Sequence, residues 1–218
     1  IQSLPTAPVS VIDHHDEERT IERLCASTPV TVLGVVQALD GSMAGQLNAL
    51  TQRATNMGNR LRDSNITPRI AWQGLRSMIW PSLRYCLPAT VFTRAEGRQA
   101  LLPLVKQLLP KLGASRHTPR EYRYAPSSLQ GLGLPDPYIE QGIAHVKYIT
   151  THGGLPTTSG KLLQISLDQL QLEIGTRKPV LSASFGVFGY LATPSWLKCL
   201  WQFSHNFSIQ IEYPQTAL

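Results

Sequence analysis

Residues 65–88 read NITPRIAWQGLRSMIWPSLRYCLP, and this stretch constrains the fold more than any other. Thr67-Pro68 is a helix start. The Thr hydroxyl can accept from the orphan N–H groups of a first turn, and Pro at the first helical position gives up an N–H that would have no intrahelical partner. The helix is expected from Pro68 to about Cys86. At ~100° per residue, Ile70, Trp72, Leu75, Met78, Ile79 and Tyr85 spread over one apolar arc. Opposite them, Arg69, Gln73, Arg76, Trp80 and Arg84 form one stripe. Guanidinium forks bind phosphate bidentately, and an exposed indole stacks on a base or sugar. The same stripe also reads as a solvated basic face, with Trp80 half-buried against a neighbour. Pro81, inside the pattern, is expected to kink the helix or divide it in two.

Charge is segregated around this helix. Residues 1–50 hold 2 basic and 6 acidic side chains, residues 51–124 hold 13 and 3, and residues 125–218 hold 5 of each. A basic excess confined to one segment points to a polyanion, with nucleic acid first and an acidic protein surface second. Arg60 and Arg62 extend the basic set onto the preceding helix. No run approaches the ~20 apolar residues of a membrane span, so no membrane partner is expected. Cys25, Cys86 and Cys199 are far apart and form no CxxC pair, which indicates neither a zinc site nor a disulfide framework and makes a reducing, intracellular compartment the default. No initiator Met precedes Ile1, and the chain is expected to be a segment of a longer one.

Residues 8–12 (PVSVI) and 29–36 (PVTVLGVV) read as two strands, with the acidic residues 13–22 between them as a short helix or a long hairpin loop. Two strands alone are marginal, and an open strand edge is expected there. His14-His15-Asp16 is not assigned as a metal site, because adjacent loop side chains seldom converge on one ion. Met43, Leu47, Leu50, Ala54, Met57 and Leu61 recur at helical spacing after the turn at Asp40-Gly41-Ser42, so a long helix is expected to pair with the central one as an antiparallel hairpin.

Thr93-Arg94-Ala95-Glu96 is a capping box, opening a helix to about Leu109 that Pro103 interrupts or bends. Thr118-Pro119-Arg120-Glu121 starts a short helix by similar logic, and residues 127–135 (SSLQGLGLP) form a tight loop. Asp136-Pro137 begins a helix ending at Gly153-Gly154, and residues 161–174 form another with Gly175 as its stop. His145 and His152 share a face of the first of these, where packing explains them better than ligation. Residues 154–161 (GLPTTSGK) miss the phosphate-loop spacing by one residue and carry Leu162 where Ser or Thr is required. Residues 182–191 read as extended, and Thr193-Pro194 begins a last helix. No constellation for nucleophilic or metal-dependent catalysis appears, so catalytic and metal residues are none.

Several runs occur together in order: Val32-Leu33-Gly34-Val35 with Asp40-Gly41, then Ile79-Trp80-Pro81-Ser82-Leu83-Arg84-Tyr85, Lys111-Leu112-Gly113, Arg123-Tyr124-Ala125-Pro126, and Gly131-Leu132-Gly133-Leu134-Pro135. This order resembles the region downstream of the catalytic palm in reverse transcriptases of retrotransposons, of the type without long terminal repeats. The resemblance covers residues 30–137 best. It implies a palm-edge β element over 1–39, a thumb-like helical domain over 40–113 and a helical C-terminal extension over 114–218, in a mainly α chain. The family's polymerase uses a Tyr-x-Asp-Asp turn to bind two magnesium ions. No Asp-Asp pair occurs here, and by the family's order that turn would lie upstream of Ile1.

Magnesium is therefore implied for the parent polymerase, with no cofactor bound by this segment, which is expected to be inactive alone. The implied partners are an RNA–DNA or RNA template–primer duplex and the upstream palm of the parent chain. The nucleic-acid-binding set is Arg69, Gln73, Arg76, Trp80, Arg84, Arg60 and Arg62. The alternative is a non-catalytic helical interaction protein whose basic face meets an acidic partner. An enzyme of another type has no residues to support it.

Overall fold

The computed structural model describes residues 9–12, 14–21 and 24–212. The chain is mainly helical, with two small antiparallel two-stranded sheets at its N-terminal end and a helical C-terminal part. The expected strand at 8–12 is present as β1 (Val9–Ile12), but its partner β2 (Glu18–Ile21) lies inside the acidic segment, making a hairpin. The second expected strand is itself a hairpin of β3 (Val30–Val32) and β4 (Val35–Gln37). Its turn, Leu33-Gly34, has φ of 49° and 80°. Both angles are positive, as a tight hairpin turn requires. Leucine is a costly occupant of that region; the Tyr85 hydroxyl donates to the Leu33 carbonyl at 2.8 Å and steadies the turn. Val36 N–H donates to Gln46 Oε1 at 2.6 Å, which joins β4 to the first helix.

That helix, α1 (Ala44–Asp63), buries Gln46, Leu50, Ala54, Gly58 and Leu61. The central segment turns back on it, with Arg53 donating to the Ser82 carbonyl at 3.1 Å. The main partner of α1, however, is α4 (Arg94–Lys111) and not the central helix expected from the short connection. Gly58 explains the difference. A Cβ there would lie 2.9 Å from the Pro103 carbonyl oxygen and 3.3 Å from Leu104 Cα, so only glycine lets the two backbones approach this closely. Lys111 Nζ reaches the Ser64 carbonyl further along, so α1 and α4 run in the same direction. Of the two outcomes expected at Pro103, interruption does not occur: α4 continues past Pro103 and Pro110 as one helix. Gly58→Val should therefore lower stability by about 1–3 kcal/mol through overpacking, although valine is the better helix former. A thermal melt checks this, and an unchanged midpoint would contradict the close approach.

The central helix departs from its expected form in an informative way. It consists of α2 (Pro68–Gly74), a π turn at Leu75–Ile79 and α3 (Trp80–Arg84). Trp80 N–H donates to the Leu75 carbonyl five residues back, and Pro81 follows with no N–H to give. The turn absorbs the missing donor without a break, at the cost of rotating everything after it. The apolar arc read from ideal periodicity is wrong in part. Ile70, Met78 and Tyr85 are exposed, while Ala71, Leu75, Leu83 and Cys86 are buried.

After α4, helix α5 (Arg120–Tyr124) forms as expected, but Thr118 does not cap it; its hydroxyl donates to the Ser115 carbonyl at 2.7 Å. The glycine-rich loop folds back over α5, with Leu132, Gly133 and Leu134 N–H groups donating to the carbonyls of Tyr122, Ala125 and Arg123. Helix α6 (Pro137–His152) is capped by Asp136, and α7 (Thr158–Ile174) starts at Thr157 and stops at Gly175 in the left-handed region. Residues 182–191 are not extended. A 3-10 turn at Val180–Ser182 leads into α8 (Phe185–Phe188), held because Trp201 Nε1 donates to the Ala183 carbonyl and the Phe185 ring meets Trp201 edge-on. The last helix, α9 (Trp196–Asn206), begins after Ser195, which supplies the cap expected from Thr193. Thr193 N–H is committed to Glu173 Oε1 at 2.7 Å.

Two apolar cores result. The first joins β4, α1, the central segment, α4 and Leu134; the second joins Ile149 of α6 with α7, the 180–183 turn and α9. Helix α6 lies between them. Its Gln141 is buried and makes four contacts: Oε1 accepts from Phe92 N–H at 3.1 Å and lies 2.8 Å from Thr90 Oγ1, while Nε2 donates to the Phe92 carbonyl at 3.1 Å and to Cys199 Sγ at 3.4 Å. One amide side chain thus pins the residue before the α4 cap to both α6 and α9.

Candidate nucleic-acid interface

The residues assigned from sequence separate into three groups. Arg60, Arg69, Gln73 and Arg76 are exposed, and no ion pair to these three arginines is present among the described residues. The Arg76 guanidinium lies over the half-buried Trp72 ring, 5.2 Å from its centroid, which orients the fork while leaving it open to solvent. Arg62 and Arg84 are exposed but paired. Arg62 Nε donates to Asp63 Oδ1 at 2.9 Å, and Arg84 lies 3.6 Å from Glu140 of α6.

Trp80 makes up the third group. It is half-buried and packs against the first core. The π turn accounts for this, since the rotation it introduces carries Trp80 inward and sends Arg84 toward α6. The stripe is therefore continuous only from Arg69 to Arg76, and Trp80 is not presented as a free stacking surface.

A second basic feature escaped the sequence reading altogether. Between α4 and α5 lies a groove of about 490 Å³ walled by Arg94, Arg98, Arg120 and Arg123, with Leu102 and Tyr124 among its apolar lining. No carboxylate lines it. Arg98 donates to Asp136 Oδ2 through Nε at 3.1 Å and through Nη2, and its guanidinium covers the Tyr124 ring at 5.1 Å. Arg123 donates through Nε to the Thr118 carbonyl at 2.7 Å and through Nη2 to the Arg116 carbonyl at 3.2 Å. These arginines come from two helices whose proximity depends on the GLGLP loop, and the only trace in the sequence is the local density of Arg.

A second recess, of about 520 Å³, lies where α4, α6 and α9 meet and is lined by Phe92, Arg94, Tyr138, Lys198, Cys199 and Gln202 among others. Burial pushes the Cys199 thiol up to about 11, against the smaller effect of the Gln141 hydrogen bond, so it stays protonated at neutral pH and is no thiolate nucleophile. Lys198 Nζ is held by the Ala192 carbonyl.

His145 is fully buried, its ring tilted against that of Trp196 with centroids 4.5 Å apart, and neither ring nitrogen is hydrogen-bonded. Carbonyls of Thr90, Leu87 and Pro88 near the ring favour its charged form without meeting hydrogen-bond geometry. Burial outweighs them and lowers its pKa from 6.5 to about 4. Among the described residues no group of three His, Cys, Asp or Glu side chains could hold a metal ion, and no helix is long and apolar enough to cross a membrane. Comparison of the chain with protein-family models, with curated proteins and with solved structures finds no match.

Proposed function

We propose that this chain is the duplex-gripping part of a retroelement reverse transcriptase, downstream of a palm that carries the catalytic carboxylates and their magnesium. Its role is to hold the template–primer duplex by its phosphates, and it makes no bond itself. The observation that carries the reading is the trio Arg60, Arg69 and Arg76: exposed guanidinium groups in the most basic segment, with no carboxylate to neutralise them among the described residues. Exposed charge without internal pairing is available to a polyanion, and the order of the sequence motifs favours a nucleic acid. A-form-like duplexes are held through phosphates and 2′-hydroxyls. Exposed arginine forks suit that task, and a half-buried Trp80 is consistent with a fully paired ligand whose bases are hidden.

Binding of the full chain to a labelled RNA–DNA duplex should weaken linearly on a log–log plot against salt. Arg69→Gln or Arg76→Gln should each flatten that slope by about 1, with little change in sequence preference. Arg84→Gln should have less effect, because Glu140 already neutralises its charge. Trp80→Ala should lower the melting temperature and leave the slope unchanged. If both exposed-arginine variants keep the parent slope, these helices are not the duplex-binding face. An acidic protein partner in place of nucleic acid would show as salt-dependent binding to an acidic polypeptide with no duplex affinity.

A further inference from the structure

We propose that the four-arginine groove between α4 and α5 is a separate site for single-stranded nucleic acid, seating one backbone phosphate and its nucleotide. The proposal rests on the reading that the protein binds nucleic acid, and assigns it a second strand path. Three properties of the groove support it.

The first is charge. Four guanidinium groups wall the groove and no carboxylate lines it; the nearest one, Asp136, is already shared between Arg98, the α6 cap and, at 3.9 Å, Arg94. Asp136 offsets only part of this charge, so the arginines keep a positive excess around the recess that an entering anion meets.

The second is rigidity. Arg98 and Arg123 are each fixed by two hydrogen bonds through Nε and Nη2, which holds their planes before any ligand arrives. Arg94 and Arg120 stand at the rim, both exposed, able to close over a bound group. The donors these bonds leave over, at Nη1, are held in place in advance and lose little freedom when they meet a phosphate.

The third is shape, which selects the strand. The Arg98 side chain is only 17% exposed, and Arg123 and Tyr124 are half-buried. A stiff duplex resting on this surface would reach the rim arginines and not those inside. A single strand can turn a phosphate inward, with Leu102 and Val105 offering an apolar wall to the sugar or base. The Tyr124 ring is covered by Arg98, so affinity should depend on phosphate more than on base identity.

The test uses the full chain, a labelled oligo-dT strand and a blunt RNA–DNA duplex, with binding followed by anisotropy over a range of salt. The variant is the double Arg94→Gln/Arg120→Gln, at two exposed positions; matching thermal melts establish that it folds. Oligo-dT affinity should fall about tenfold or more, as for loss of charge-assisted hydrogen bonds. The salt slope should fall by about 0.7, the contribution of one phosphate contact on a single strand. Duplex affinity should fall much less, because a duplex on this surface meets only the rim. Unaltered oligo-dT binding in the double variant, or an equal loss on both ligands, overturns the groove assignment. A parent protein that binds oligo-dT and not the duplex, with the oligo-dT loss in the variant, upholds the groove and overturns the duplex-gripping reading. Binding to neither ligand overturns both.

Discussion

Gln141→Leu should destabilise the protein by about 2–6 kcal/mol, because it leaves the buried Phe92 N–H and carbonyl without partners at about 1–3 kcal/mol each. Leucine nearly matches glutamine in volume, so the loss reports polar satisfaction and not a cavity. Thr90 is less affected, since its hydroxyl also lies 3.0 Å from the Leu87 carbonyl and its proton can turn there. Because Gln141 ties the stretch before α4 to α6 and, through Cys199, to α9, both cores should be affected at once. Urea unfolding followed by far-ultraviolet circular dichroism should show one transition moved to lower denaturant. A loss below 1 kcal/mol would mean that the amide is not the link between the two halves.

Acid should weaken the fold through His145 in the window between its folded and unfolded titrations. Its folded pKa, about 4, lies below the ordinary 6.5, so between these values the unfolded chain holds a proton that the folded chain does not. Stability from this group is therefore complete above about pH 6.5 and is lost as pH falls toward 4. The full difference of about 2.5 units is worth roughly 3 kcal/mol. His145→Leu should remove that slope. At pH 7 the substitution should cost little, since neither ring nitrogen makes a hydrogen bond to lose; at pH 4.5 the variant should be the more stable protein. Urea midpoints for both proteins at pH 7 and 4.5 give the answer directly. Parallel pH profiles would show that the histidine is hydrated or paired in solution.

The helix starts were legible because each is a local event. Thr67-Pro68, the Thr93–Glu96 capping box and Asp136-Pro137 all act within one turn, and each begins its helix where the residues say. What was not legible depends on distant partners. Residues 182–191 read as extended from their aromatics, and the Trp201 indole bends them into a turn. In the candidate interface, the exposure of Arg69 and Arg76 followed from helical phase, whereas the inward position of Trp80 did not, because ideal phase is lost across a π turn. The Arg98 and Arg123 positions depend on carboxylate and carbonyl acceptors that no spacing rule links to them.

The π turn at Leu75–Ile79 also determines which changes in the gene this protein can tolerate. Between α2 and α3 the chain carries one residue more than a straight α-helix would use, and that surplus sets the angle at which Leu83 and Cys86 enter the core. Met78 is 72% exposed, so almost any side chain can replace it. Removing its codon is a different matter. The surplus would vanish, α3 would turn by about 100°, and buried Leu83 would face water. Here the length of the reading frame is under stricter constraint than its spelling.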